Sequence, residues 1–331
     1  MSHAGAQDSS NTAPAPTGPS RARVIMQLLG FLVGCTLVVW CVMRAASSGS
    51  DGLEKLRNAP PMLVAILLGS TLVSIICSGF TFWSMARPIR RFTVIEMQAV
   101  NLMASLFNYA PVRLGLVLRC AFHWRVERMS VSDLTAWIAG VAVVTLGALG
   151  CALAAGLLQI ALGREALALD GLWWATFGLC LVAGSLLTLS IGRIPLLARL
   201  LKGGERVLTN PRVLAESLAF RVIDLAMWSL RMWAAAQIVG VELGPAQATL
   251  LASIAILGAG NPLGRIGWRE ALVAMVAPLV IHSGATPEEV TALTSQLALL
   301  ESAGEAAITI PLGIAGAVWC WRAFKRSAPS S

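Results

Sequence analysis

Charge is scarce in this 331-residue chain. Lys, Arg, Asp and Glu together make up 13% of it, apolar residues make up 56%, and the mean hydropathy is +0.74. No soluble globular domain has that balance. Cysteine pairs of the CxxC type are missing as well: the seven cysteines, at 35, 41, 77, 120, 151, 180 and 320, lie in or beside apolar runs and read as small hydrophobes. His3, His123 and His282 are scattered, so no metal site and no cofactor are expected. HExxH, GxSxG and P-loop patterns do not occur. Ten residues follow Trp321, and the longest internal loop expected is about 27 residues, 193–219. Neither has room for a soluble catalytic domain, and the chain is not expected to be an enzyme.

Long apolar runs are what the sequence does have. They fall at 24–43, 62–83, 134–160, 172–192, 220–241 and 291–321. Crossing about 30 Å of hydrocarbon takes roughly 18 to 25 such residues as a helix. A spanning segment must also satisfy its own backbone hydrogen bonds, so the expected fold is an all-α polytopic membrane protein. Residues 1–20 are rich in Ala, Pro, Ser and Thr and predict a disordered tail. Arg21 and Arg23 give the first run the look of a signal peptide. Its length, and Arg44 beside the nearest small-residue cleavage site at Ala46, favour a transmembrane helix instead.

Two further apolar regions, 92–124 and 246–282, are each broken near the centre, by NYAPVRLG (108–115) and by NPLGRIG (261–267). The limbs 246–261 and 267–282 reach only roughly 24 Å at 1.5 Å per residue, too short to cross. Both regions are therefore expected to be re-entrant helical hairpins, with turns built on Pro111 and Gly115 and on Pro262, Gly264 and Gly267. The order is span, span, hairpin, span, and then the same again. With three crossings between equivalent points, the two halves would be inverted-topology repeats, about 21–165 and 166–322, within one transmembrane domain at 21–326; 327–331 is a short tail. The motifs agree in spacing, since 113 to 265 and 115 to 267 are both steps of 152.

Basic residues give the orientation. Sixteen lie on the side carrying the N-terminus, Arg119 and Arg212 among them, and four lie opposite, Arg44, Lys55, Arg57 and Arg164. The positive-inside rule then places both termini in the cytoplasm. That bias, together with anionic headgroups, accounts for the net charge of +8 without any nucleic acid. Arg113, Arg221, Arg231, Arg265 and Arg269 remain at depth, along with Glu96, Asp224, Glu270, Glu301 and Glu305. Arg221 and Asp224 stand three apart and can pair on one helix. Arg231 calls for an acid from another helix, either Glu301 or Glu305; a structural bridge and a charge relay both remain open, with Glu270 and Asp224 as further members. Glu96, Asn101, Ser105 and Asn108 run along one hairpin limb, either as polar glue or as a cavity lining. Arg113 and Arg265 sit in the turns themselves. There, free N–H groups and a guanidinium fork make a cradle for phosphate or carboxylate. Arg119, Arg269, Asn108 and Asn261 are the neighbours expected to share the headgroup.

At these stretches the chain resembles the transmembrane family of lysylphosphatidylglycerol synthases, flippase-like membrane domains that also occur without the synthetase. The family's first motif, an Asn followed by P-x-R-x-G-E and a nearby Arg, is matched by Asn108, Pro111, Arg113, Gly115 and Arg119, with Leu116 in place of the Glu. The second, P-G-G-x-G-x-x-E, is matched by Pro262, Gly264, Gly267 and Glu270, with Arg265 in place of an apolar residue or Gly. Glu301 stands about where the family carries an Arg. The resemblance covers roughly 20–322 and implies translocation of a lipid in the bacterial inner membrane, for example an aminoacylated phosphatidylglycerol, a polyprenyl-phosphate carrier or a hopanoid-type lipid. Two alternatives are a membrane scaffold that partners a lipid-modifying enzyme, and an intramembrane transferase using Glu270, Glu301 and Glu305.

Overall fold

The protein is described by a computed structural model covering residues 21–47, 54, 57–110, 114–163, 167–190, 205–261, 267–281 and 287–327. The expected tail at 1–20, most of the tail after 326, and Pro111, Arg113, Pro262, Gly264 and Arg265 of the two turns lie outside the described residues. All regular structure among the described residues is helical: α1 (Arg21–Ser47), α2 (Pro61–Ala86), α3 (Val94–Phe107), α4 (Leu114–Arg125), α5 (Val131–Ala161), α6 (Gly171–Ser190), the single turn α7 (Glu205–Leu208), α8 (Pro211–Val239), α9 (Pro245–Ala259), α10 (Trp268–Val280) and α11 (Pro287–Ser327).

Local chemistry sets these boundaries. Pro occupies the first turn of α2, α8 and α9, where its missing N–H costs nothing. Thr93 and Glu96 close a capping box over α3, with Glu96 N–H donating to Thr93 Oγ1 at 3.2 Å and Thr93 N–H to Glu96 Oε2 at 2.9 Å. Glu96, expected among the charges at depth, is therefore spent on a helix end. Gly240, at φ 85°, stops α8 in the left-handed region.

Among the described residues, five helices are long and apolar enough to cross a membrane: α1, α2, α5, α6 and α11. This is a multi-pass membrane protein. The sixth expected span, 220–241, needs correcting. Its helix starts at Pro211, because Asn210 caps it through Oδ1 and because Glu216 pairs with Arg212 one turn back and with Arg87 on α2. Charge at 212, 216, 221, 224 and 231 keeps α8 out of the apolar set, although its 29 residues reach about 43 Å. The long loop expected at 193–219 is accordingly shorter, since α7 and the first nine residues of α8 take up its second part.

α2 and α8 pack along most of their length and run antiparallel, with Thr71 beside Arg231, Ser74 beside Asp224, Phe80 stacked on Phe220 at 4.9 Å, Ser84 beside Ser217 and Arg87 beside Glu216. On the α2 side of this seam the hydroxyls bond to their own helix: Thr71 donates to Leu67 O, and Thr81 to Cys77 O. Two pairs of short helices complete the molecule. α3 and α4 pack on each other, as do α9 and α10. Their 12 to 15 residues reach roughly 18 to 22 Å, less than a bilayer core.

Candidate functional site

Buried charge collects around the second pair. From α8, Arg231 Nε donates to Glu301 Oε1, Nη2 reaches Glu305 Oε2 at 3.3 Å, and Nη1 reaches Thr71 Oγ1 at 3.3 Å. From α10, Arg269 Nη2 lies 2.7 Å from Glu301 Oε2, and Nη1 donates to Glu305 Oε2. Its Nε is 3.6 Å from Glu270 Oε1, and Ser302 bridges the guanidinium and that same carboxylate oxygen. Glu270 Oε2 accepts from Gly267 N–H at 2.8 Å, so one side chain both caps α10 and joins the network. Trp228 lies against both cations, its ring centroid 4.0 Å from the Arg231 guanidinium and 5.4 Å from that of Arg269. Arg231, Arg269, Glu301, Glu305 and Glu270 are all buried. Pairing offsets the cost of holding these ions at depth, and removing one partner leaves the others less compensated.

The first pair is built differently. Arg119 was counted with the surface bases, yet it is only 4% exposed. Its Nη2 donates to Asn101 Oδ1 at 2.8 Å, Asn101 Nδ2 donates to Ile75 O at 3.0 Å, and the guanidinium lies 3.5 Å over the Phe82 ring. Arg119 Nη1 is buried without a partner. Four residues on, both ring nitrogens of His123 are buried and unpartnered, walled by Phe92, Phe122 and Trp137 edges. Between the two clusters Arg221 Nη1 donates to Asp224 Oδ2 at 2.6 Å, Ser74 donates to Asp224 Oδ1 at 2.5 Å, and Arg221 Nε is buried without a partner.

The two motif glycines among the described residues, Gly115 and Gly267, make close approaches. A Cβ on Gly115 would lie 2.0 Å from Ala104 O and 2.4 Å from Asn108 Oδ1, so α4 can return against α3 only with no side chain there. A Cβ on Gly267 would lie 1.7 Å from Gly34 O on α1, and Gly267 also has φ 82°. Asn108 caps the end of α3, and Asn261 follows α9 with its N–H on Gly258 O at 3.2 Å.

A family model of the lysylphosphatidylglycerol synthase TM region matches residues 27–298. The chain belongs to this family. No curated protein matches it. Membership in the lysylphosphatidylglycerol synthase TM region family ties the protein to membrane lipids, and the match takes in both short-helix pairs with Arg119, Arg231, Arg269 and Glu270, ending just before Glu301, Ser302 and Glu305.

The structure brings together Arg231, Arg269, Glu270, Glu301 and Glu305, and sets Asp224 apart with Arg221 and Ser74. Arg269, expected at the headgroup, is held by carboxylates instead. Sequence reasoning missed Thr71, Ser302, Trp228 and Phe82, as well as the closed setting of His123. One signal was available: Ser70, Thr71, Ser74, Thr81 and Ser84 recur at helical spacing along a run otherwise apolar.

Proposed function

We propose that the protein carries an anionic lipid between leaflets, using two inverted halves that rock about the α2–α8 seam, in the bacterial inner membrane with both termini cytoplasmic. The observation that carries this reading is a repeat in the helix boundaries. Moving α2 (61–86) by 152 gives 213–238, against 211–239 for α8; moving α3 (94–107) gives 246–259, against 245–259 for α9. The same step takes 114–125 to 266–277, against 268–280 for α10. The packing partners exchange in the same way: α1 with α11 answers α6 with α5, α3 with α11 answers α9 with α5, and α2 with α8 answers itself. That is the pattern of a two-fold axis through the α2–α8 seam, and an antiparallel pair on the axis is what inverted topology requires.

The two short pairs are then re-entrant hairpins entering from opposite faces. The headgroup site lies between their turns, with Arg113 and Arg265 as cradles. Arg119 Nη1 is the donor already buried and free to take a phosphate oxygen, a charge-assisted bond that an ammonium or a neutral headgroup cannot supply. Arg269 belongs to the closing network of the second hairpin. The transferase alternative loses support because each carboxylate it would use is held by a guanidinium or by a helix end.

In proteoliposomes carrying a fluorescent phosphatidylglycerol, the wild-type chain should exchange label between leaflets, and Arg119→Gln, Arg113→Ala and Arg265→Ala should each lower the rate at least about tenfold, the loss expected when one charge-assisted bond of roughly 1.5–3 kcal/mol is removed. Wild-type rates in all three variants would sink the arginine site. A covalently altered lipid in the extract would point to the transferase instead.

A further inference from the structure

α6 packs on α5, and two apolar cavities separate it from α8. One, of about 600 Å³, lies between Leu181, Ser185 and Leu189 of α6 and Leu214, Leu218 and Val222 of α8. The other, of about 400 Å³, starts at the same Val222 and continues past Leu225 and Ser229 to Trp233, facing Trp173 and Phe177. Together they make one apolar groove along α8 from Pro211 to Trp233, about 33 Å at 1.5 Å per residue, the thickness of a hydrocarbon core.

Beside the groove's α8 N-terminal end is a cavity of the opposite character. It holds about 610 Å³ and is lined by Arg87, Arg91 and Arg212 with Asn210, Trp83 and Phe92. Glu216 pairs with Arg87 at 2.8 Å and Arg212 at 2.9 Å, leaving three guanidiniums against one carboxylate. Arg87 also stacks on Trp83 at 4.7 Å, which fixes one cation at the rim. Both cavities border the first turn of α8, the basic one at Asn210, Arg212 and Val213, the apolar one at Pro211, Leu214 and Ala215.

We infer that an anionic phospholipid binds at the α6–α8 seam, with its phosphate among Arg87, Arg91 and Arg212 and an acyl chain in the groove between α6 and α8. Charge and shape together select this occupant. The excess of guanidiniums calls for an anion, and the groove that leads away from it offers a chain almost no polar partner. A soluble anion would leave the groove unused, and a zwitterionic lipid would set its ammonium among the arginines. Occupancy of this site does not depend on whether any lipid crosses the bilayer.

Native mass spectrometry of the full chain in detergent, with added dioleoyl phosphatidylglycerol or phosphatidylcholine, tests this site. Each basic residue near an anionic headgroup contributes enough that two net charges give a preference for phosphatidylglycerol of roughly tenfold. Arg87→Gln, Arg91→Gln and Arg212→Gln combined should erase the preference. Ala219→Trp with Ala226→Trp fills the groove from its open side and should weaken retention of the dioleoyl lipid, while dihexanoyl phosphatidylglycerol binds as before. Circular dichroism and melting identify any variant that fails to fold, and the single substitutions then replace the combined one. Equal retention of the two lipids by the wild type, or an unchanged preference in the arginine variant, overturns the site. Unchanged dioleoyl retention in the tryptophan variant overturns the chain's place in the groove. Loss of leaflet exchange in Arg119→Gln with lipid retention intact would separate this site from the transport reading.

Discussion

The two short-helix pairs sit at matching places in the chain and are finished in opposite ways. In the second, α10 is gripped from outside: Trp268 Nε1 donates to Gly30 O at 3.2 Å, Gly267 abuts Gly34, and Arg269 is enclosed by Glu270, Glu301 and Glu305. In the first, α4 holds a buried guanidinium with an N–H to spare and a histidine with none of its nitrogens bonded. The outer helices differ to match. Gly30 and Gly34 of α1 are buried, whereas Val182 and Leu186, 152 positions on in α6, are 58% and 60% exposed. One pair is clamped, its two guanidiniums met by three carboxylates; the other is loosely flanked and retains unspent positive charge. In the carrier proposed above, this inequality would distinguish a closed side from an open one.

The sharpest way to break the comparison is to unbalance the clamp. Glu301→Ala removes the carboxylate shared by both buried guanidiniums, leaving Arg231 only Glu305 and Arg269 only Glu270 and Glu305, and should cost about 3–5 kcal/mol, read as a large fall in melting temperature in detergent. Arg119→Met removes a charge only partly satisfied and should leave melting within about 1 kcal/mol of wild type or raise it. If both variants lose stability equally, the two clusters are not different in kind. Next in size is Gly267→Ala, which meets Gly34 O and a left-handed backbone; about 1–3 kcal/mol of destabilisation is expected, together with faster hydrogen exchange in α1. Normal exchange there would mean α1 does not depend on that contact. Smallest is Trp268→Phe, which gives up one hydrogen bond to Gly30 O and should cost about 0.5–1.5 kcal/mol with the clamp intact.

Much of this architecture was legible because hydrocarbon is a strict solvent. Runs of apolar residues, the two broken regions and the spacing of 152 depend on length and on backbone hydrogen bonding, both of which read directly from one chain. The pairing of Arg231 with Glu301 and Glu305 was also within reach, because a buried cation must find an acid and few were at depth. What stayed hidden depends on where helices meet. Arg119 looked like one more basic residue near a loop, and only the packing of α4 beneath Phe82 and Asn101 buries it. The start of α8 at Pro211 was obscured by Arg212 and Glu216, whose charges read as loop until Arg87 is seen to share them. Arg269 looked like an anion ligand because two of its three carboxylate partners, Glu301 and Glu305, come from 30 or more residues away.

The α2–α8 seam has a mechanical consequence. Thr71, Thr81, Ser70 and Ser84 donate to carbonyls of their own helix at about 3 Å. Helix-to-helix polar contact is confined to a few places, chiefly Arg231 with Thr71, Ser74 with Asp224, Ser84 with Ser217 and the Arg87–Glu216 pair. A helix turning against its neighbour would therefore carry most of its hydroxyl bonds along, without exposing bare donors to lipid. Such a surface would behave as a bearing, and the bonds that do cross it are few enough to act as detents between discrete angles of one helix against the other.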